Sequence, residues 1–212
     1  MDRRMDEQQK LQHLELDALR EVANIGAGHA ATALSQLTNR RIMIDVPSVQ
    51  ICPIEEAATS VGNETGVVAA VLMHVLGDMT GRCLMLFDKA CALKLADLLL
   101  NREAGTTKIF AELEQSSLKE TANILTGAYL NGLSDMLGLM LIPSVPSLAI
   151  DLSAAVLSTA YLNFSHDHGR VIVLDTRFRF EPGDESMFGH FVLLPDPAGL
   201  KVILRAIRLG LS

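Results

Sequence analysis

Residues 17–48, DALREVANIGAGHAATALSQLTNRRIMIDVPS, decide the fold, because residues 116–147, SSLKETANILTGAYLNGLSDMLGLMLIPSVPS, repeat them. At an offset of 99 positions and without a gap, the two stretches are identical at eleven of 32 positions. Repetition of this kind indicates two copies of one supersecondary unit. We therefore expect a duplicated fold.

The first half of the chain, about residues 14–104, predicts a helix, three strands and a second helix. Apolar residues at steps of three and four favour a helix from Leu14 to about Leu37, with Asn39 as a stop. The other elements are expected at Ile42–Ile54, Val67–Leu76 and Arg82–Phe87, and as a helix that Asp88 caps and that runs to about Leu100.

The second half, about residues 108–212, repeats this order. Its expected elements are Ala111–Leu137, Leu141–Ile150, Val171–Phe180, Phe188–Leu194 and a last helix after Pro197. A helix from Asp151 to about Tyr161 has no clear counterpart in the first half. We predict an α/β (α+β) fold with a mostly antiparallel sheet, two long helices and approximate two-fold symmetry. Residues 1–212 are expected to form one domain of two interlocked halves.

A polar stripe marks both long helices. Residues at i, i+4 and i+7 of a helix lie within about 60° of each other. The stripe and a proline that follows it consist of Asp17, Glu21, Asn24 and Pro47 in the first copy and of Ser116, Glu120, Asn123 and Pro146 in the second.

A solvated helix face would also explain this stripe, and Ser117 with Glu120 could form a capping box. Ala18 stands where the second copy has Ser117, however, while Glu21 remains. Asparagine inside a helix costs several tenths of a kcal/mol relative to alanine. Because both copies retain it, we interpret the asparagine as functional.

The spacing [Asp/Ser]-x3-Glu-x2-Asn-x22-Pro resembles the signature of the CheC/CheX/FliY phosphatases of bacterial chemotaxis. Both copies fit it in full, and the resemblance covers nearly the whole chain. Two copies in about 210 residues fit the CheC type, since a CheX-type protein carries one copy. A FliY-type protein adds a C-terminal flagellar-switch domain, and we expect none here after Ser212.

The resemblance implies hydrolysis of the aspartyl phosphate of the response regulator CheY. Asn24 and Asn123 would orient the attacking water, and Glu21 and Glu120 would contact the regulator's lysine. It implies no metal of the chain's own, because Mg²⁺ is expected on CheY. The roles of Asp17 and Ser116 stay open.

The alternative that the resemblance offers is a regulatory binding module for the receptor deamidase CheD, with little catalysis of its own. The expected extra helix, with Asp151 at its start, is the candidate surface for CheD. A surface insertion without function would explain that helix equally well.

The composition excludes several other classes of function. A net charge of −7 without a basic stripe argues against nucleic acid and anionic membranes. Three cysteines without a CxxC pair and no apparent signal peptide favour a cytoplasmic protein with reduced thiols.

Two further signals are weak. The GxGxxA pattern of Gly26–Ala31 could indicate dinucleotide binding, but it follows a helical rather than a strand pattern. Gly28 and Gly127 are instead expected to allow close helix packing. His166 and His168 could bind a metal, yet no third ligand is evident, so a hairpin turn is favoured.

Overall fold

A computed structural model describes residues 2–53, 56–57, 66–162, 170–181 and 186–210. The helices are α1 (Asp2–Thr38), α2 (Lys89–Leu99), α3 (Glu112–Leu137), α4 (Ser153–Leu162) and α5 (Pro197–Gly210). The strands are β1 (Arg41–Pro53), β2 (Val67–Gly77), β3 (Gly81–Asp88), β4 (Leu141–Pro143), β5 (Ser147–Leu152), β6 (Arg170–Glu181) and β7 (Ser186–Pro195). None of the described helices is both long and apolar enough to cross a membrane.

The two long helices end at matched positions for the same physical reason. Asn39 follows α1 with φ of 53°, and Gly138 follows α3 with φ of 64°. The left-handed backbone at these positions stops a helix, and glycine and asparagine adopt it most readily. The expected stop at Asn39 is therefore confirmed. The α1 helix begins at Asp2, however, well before the start expected at Leu14.

Strands of the two halves are interleaved within one antiparallel sheet. Its order is β1-β6-β7-β3-β2-β4, and β5 also pairs with β2. The first strand of each half therefore pairs with a strand of the other half: β1 with β6, and β4 and β5 with β2. Strands at equal distances from the two ends of this order are counterparts in the repeat: β1 and β4 with β5, β6 and β2, and β7 and β3. The sheet therefore has an approximate two-fold axis between β7 and β3. The predicted duplicated α+β fold with an antiparallel sheet is confirmed.

Helices α1 and α3 pack side by side on one face of the sheet, where their apolar residues join the main core. A Cβ added to Gly26 would meet the Ala128 carbonyl oxygen at 2.8 Å, and one added to Gly132 would lie 3.1 Å from the Val22 side chain. These two glycines thus allow the close helix packing. Gly28 and Gly127 have nothing within 4 Å of an added Cβ, so their expected packing role is wrong.

Helix α4 lies on the opposite face of the sheet, where Val156, Leu157 and Ala160 join a second buried cluster. It begins at Ser153 and not at Asp151, which belongs to β5. In the first half, residues 56–57 are also helical, and Ala57 is buried in the same cluster. Residues 56–57 are the described part of the first half at this position, so the expectation of no clear counterpart to α4 stays a prediction.

Candidate functional site

The predicted polar stripes lie on the outer sides of the two packed helices. Glu21 and Glu120 are exposed, and Asn24 and Asn123 are partly buried beside them. The opposite side of each helix is apolar, with Leu19 and Ala23 in α1 and with Leu118 and Ala122 in α3 buried in the core. Burial of these apolar residues orients both helices, so each glutamate is exposed to solvent and each asparagine lies at the border of the buried surface.

Asn24 is hydrogen bonded to the backbone of the neighbouring strand. Its Oδ1 accepts from the Val46 amide at 2.8 Å, and its Nδ2 donates to the Val46 carbonyl at 3.2 Å. Nδ2 also donates to the Arg20 carbonyl at 2.9 Å. An amide side chain has two N–H donors and two acceptor lone pairs. In this arrangement, Asn24 has no free donor and one free lone pair.

Asn123 has the same place in α3 but different surroundings. No hydrogen bond joins its carboxamide to any residue that the structure describes. Val145, the counterpart of Val46, has 86% of its surface exposed, whereas Val46 has 2% exposed. The Val145 carbonyl accepts from Ser144 Oγ instead. The donors and acceptors of the Asn123 carboxamide are therefore not engaged by any described residue.

The motif prolines lie where strand pairing is interrupted. The β1–β6 register shifts between Asp45 and Ser48, around Pro47. In the second copy the interruption is wider, since β4 ends at Pro143 and β5 begins at Ser147. Proline lacks the N–H that a continuous ladder needs, which fits both places. In the first copy this irregularity brings the Val46 backbone to Asn24.

The remaining motif residues also differ between copies. Asp17 accepts a hydrogen bond from the Arg20 guanidinium at 3.0 Å, in an exposed ion pair of the kind that contributes little to stability. Ser116 is exposed. The residue that caps α3 is Ala111, and Ser117 donates to the Glu114 carbonyl inside the helix. The capping-box interpretation of Ser117 and Glu120 is therefore wrong.

The opposite face of the sheet carries a shallow cavity of about 150 Å³ between α4 and strands β2, β3 and β5. Asp151 and Arg82 contribute the charged part of its lining, and alanines such as Ala149 and Ala155 contribute much of the rest. Asp151 is exposed on β5, and its Oδ1 accepts from the Leu152 amide at 2.7 Å. Asp151, the residue expected to bind CheD, thus lies on the opposite face of the sheet from the motif helices.

A polar cluster lies beside β1 on this opposite face. The Asp175 carboxylate accepts hydrogen bonds from His190 Nδ1 at 2.8 Å and from the Ser48 hydroxyl. The bond from His190 is the main cause that lowers the pKa of Asp175; burial opposes it, and Ser48 adds to it. Asp45 pairs with Arg177 and Arg179 in the adjoining positions. Ser48 and His190 contact the carboxylate rather than each other, so the arrangement is not that of a nucleophile and its base.

The structure bears on only one of the two weaker sequence signals. Residues 26–31 lie inside α1, so the strand–turn–helix context of a dinucleotide site is absent there. His166 and His168 lie outside the described residues. Among the described residues, no three His, Cys, Asp or Glu side chains are placed to hold a metal ion.

One repeated feature was missed because it lies outside the aligned 32 residues. Leu14 and Leu113 also match at the offset of 99, and both are exposed, at 52% and 54%. Each precedes its motif by one helical turn. A search for matched apolar residues on the polar side of the two helices would have found them.

Comparison with known proteins places the chain in a family. The model of the CheC-like family matches residues 14–51 and 113–150. The chain is 33% identical over 184 residues to the CheY-P phosphatase CheC of Bacillus subtilis (strain 168), covering 86% of this chain and 88% of that relative.

Two solved structures share the fold at lower sequence identity. FliY of Thermotoga maritima has a TM-score of 0.77 at 22% identity, covering 92% of this chain and 96% of that one. The FliM middle domain of H. pylori has a TM-score of 0.64 at 14% identity, covering 91% of this chain and 97% of that one. These two likenesses concern the fold alone. The family match and the CheC relative show that the chain belongs to the CheC-like family.

Proposed function

We propose that this protein hydrolyses the aspartyl phosphate of the response regulator CheY. The observation that carries the proposal is the Glu–Asn pair on each of two packed helices, in a chain one-third identical to a CheY-P phosphatase. The activity named for that relative fits the side chains available here, since each stripe offers an exposed carboxylate and a neighbouring carboxamide.

The chemistry requires little from the chain itself. An acyl phosphate is reactive, and Mg²⁺ and lysine on the substrate protein would neutralise the charge of the departing group. What remains is to position a water in line with the bond that breaks, as water-orienting glutamines do in GTPases. A carboxamide can both donate to and accept from that water without a tuned pKa. We assign this role to Asn123 and to Asn24. Asn24 can accept from the water with its free lone pair, but it can donate only after its Nδ2 leaves the Val46 carbonyl.

Glu21 and Glu120 lie one turn before the asparagines and are exposed. We assign them the docking contact with the regulator's lysine. Asp17 and Ser116 would support the same contact surface. Pro47 and Pro146 would act indirectly, through the strand irregularities that they accompany.

The direct test follows the decay of phosphorylated CheY with and without the purified chain, with released phosphate as the readout. We expect catalytic acceleration that requires Mg²⁺ with the regulator, and no metal in the isolated chain by elemental analysis. Decay at the same rate with and without a folded chain would refute the proposal.

A second candidate function is binding of the deamidase CheD. The favouring observation is the exposed end of β5, where Asp151 lies at the cavity next to α4 and away from the motif helices. This surface could bind a partner without covering either Glu–Asn pair.

The charge reversal Asp151→Lys tests this second function. We expect weaker binding in a titration with CheD and unchanged hydrolysis of phosphorylated CheY, because the catalytic stripes lie on the other face. Equal CheD affinity of variant and parent would remove Asp151 from the interface.

A further inference from the structure

Two glycines in the motif helices have no steric role among the described residues. A Cβ added to Gly28 or to Gly127 would meet nothing within 4 Å, and neither residue has a positive φ. Glycine inside a helix is destabilising relative to alanine. Gly26 and Gly132, in contrast, are required where α1 and α3 approach each other. The repeat thus retains, in both copies, a destabilising residue that the fold does not use.

Both glycines lie on the polar stripe. Gly28 follows Asn24 by four residues, and Gly127 follows Asn123 by four. At 3.6 residues per turn, Gly28 lies about 20° around the helix axis from Asp17 and from Glu21. The bare backbone at each glycine is therefore next to the carboxamide and points to the same side.

An exposed leucine lies at the other end of each stripe. Leu14 and Leu113 are 52% and 54% exposed, one turn before Asp17 and Ser116. The stripes, from Leu14 to Gly28 and from Leu113 to Gly127, each extend about 21 Å along their helix, at 1.5 Å per residue. An apolar residue, a carboxylate, a carboxamide and a bare backbone position therefore follow one another in both copies.

We propose that Gly28 and Gly127 are close-approach positions for the phosphorylated regulator, with Leu14 and Leu113 as apolar contacts at the far end of the same footprint. The inference rests on the proposed phosphatase function and extends it. An asparagine side chain is short, so its carboxamide reaches a phosphoryl group only if the partner comes down to the helix surface. Carbon atoms in contact lie about 3.5–4.0 Å apart. A partner packed against a glycine Cα would therefore be displaced by an added Cβ.

This footprint favours a protein partner. The stripe crosses about four turns of helix, far more than a free phosphate or a small phosphoester could cover. Glu21 and Glu120 supply negative charge for a partner's cation, and the leucines supply apolar area. A phosphorylated receiver protein with a lysine beside its acyl phosphate provides a surface of this length, a cation for the glutamates and apolar area for the leucines.

The test is the double variant Gly28→Ala/Gly127→Ala, since either intact copy could mask the loss in the other. We expect kcat/KM for phosphorylated CheY to fall at least tenfold and the thermal midpoint to rise. The pair Gly28→Gln/Gly127→Gln should lose more activity, because a longer side chain displaces the partner further. In the control Ala154→Gln, the same side chain is added at an exposed position of α4, and activity should not change.

A binding measurement separates this inference from the proposed function. Regulator treated with beryllofluoride, a stable mimic of the phosphoryl group, is titrated against each variant. We expect the glycine variants and Leu14→Ala/Leu113→Ala to bind at least fivefold more weakly than the parent. If the parent neither binds nor accelerates decay, the proposed function fails and this inference with it. If the parent is active and the double-alanine variant matches its kcat/KM and affinity, only the close-approach role is refuted.

Discussion

Asn24 and Asn123 occupy matched positions on α1 and α3, but they differ in what their carboxamides contact. Asn24 is bonded to both backbone groups of Val46, while no described residue bonds to the Asn123 carboxamide. The cause lies in the strand after the motif. Val46 is buried in the continuous β1, and Val145 is exposed between β4 and β5. Matched motifs can therefore differ in how many hydrogen-bonding groups of the asparagine are free, because the neighbouring strand binds Asn24 and does not bind Asn123.

Removing both carboxamides should have the largest effect. The double variant Asn24→Ala/Asn123→Ala is expected to lose stimulation of CheY-P decay, since misplacing a reacting group can cost about 10²-fold at each site. The measurement is phosphate release at saturating regulator. The parent rate in a double variant with an intact circular dichroism spectrum would show that the carboxamides do not position water.

The single variants should separate the two copies. Asn123→Ala is expected to lose more activity than Asn24→Ala, because Asn123 has free donors and acceptors while both N–H donors of Asn24 are engaged. Rates of the two variants at equal concentration decide the matter. If Asn24→Ala proved the more damaging change to catalysis, the Val46 contact would have to open when substrate binds.

The free energy of unfolding should fall in Asn24→Ala and not in Asn123→Ala, the reverse of the order expected for activity. Asn24→Ala leaves the Val46 N–H without its partner inside a mostly buried region, so we expect the free energy of unfolding to fall by about 1–3 kcal/mol. Asn123→Ala removes no hydrogen bond to any described residue and should be neutral or raise stability by a few tenths of a kcal/mol. Urea unfolding of both variants measures this difference. Alanine's helix propensity alone would predict no loss in either case, and the Val46 contact overrides that expectation at Asn24.

The polar cluster beside β1 should make stability depend on pH. Because Asp175 has a lowered pKa in the folded protein, its ionised form stabilises the fold above its unfolded pKa of about 4. That contribution is lost as the pH falls through the lowered value. Asp175→Asn should therefore be destabilising near pH 6, and the difference from the parent should shrink below about pH 4. A difference that stays constant from pH 6 to pH 3 would contradict the role of ionisation.

We propose that the two halves unfold as one unit, so we expect both halves to unfold at the same urea concentration. All three cysteines lie in the first half, and burial raises the pKa of Cys83 and of Cys91 to about 12. Both tyrosines lie in the second half, and Tyr129 is buried. Thiol reactivity and tyrosine fluorescence should therefore change at the same urea concentration. Two separated transitions would show that the halves are independent domains.

The sequence predicted the elements well where the local signal is strong. Apolar periodicity gave the body of α1 and α3, and Asp88 caps α2 through the Cys91 amide at 2.8 Å, as expected. It was wrong about the start of α1 and the start of α4. Asp151 is of a residue type that often caps helices, yet it belongs to β5. The polar residues before Leu14 carry no apolar period, although they are helical.

Sequence alone determined that the fold is duplicated and that each copy presents a Glu–Asn stripe, because a repeat and a helical period are local patterns. Tertiary structure decided which glycines serve packing and which carboxamide is engaged. Both depend on what lies across a contact: Ala128 opposite Gly26, open space beside Gly28, and the Val46 backbone against Asn24. Those partners come from other turns, strands and halves of the chain, so no spacing within the motif could specify them.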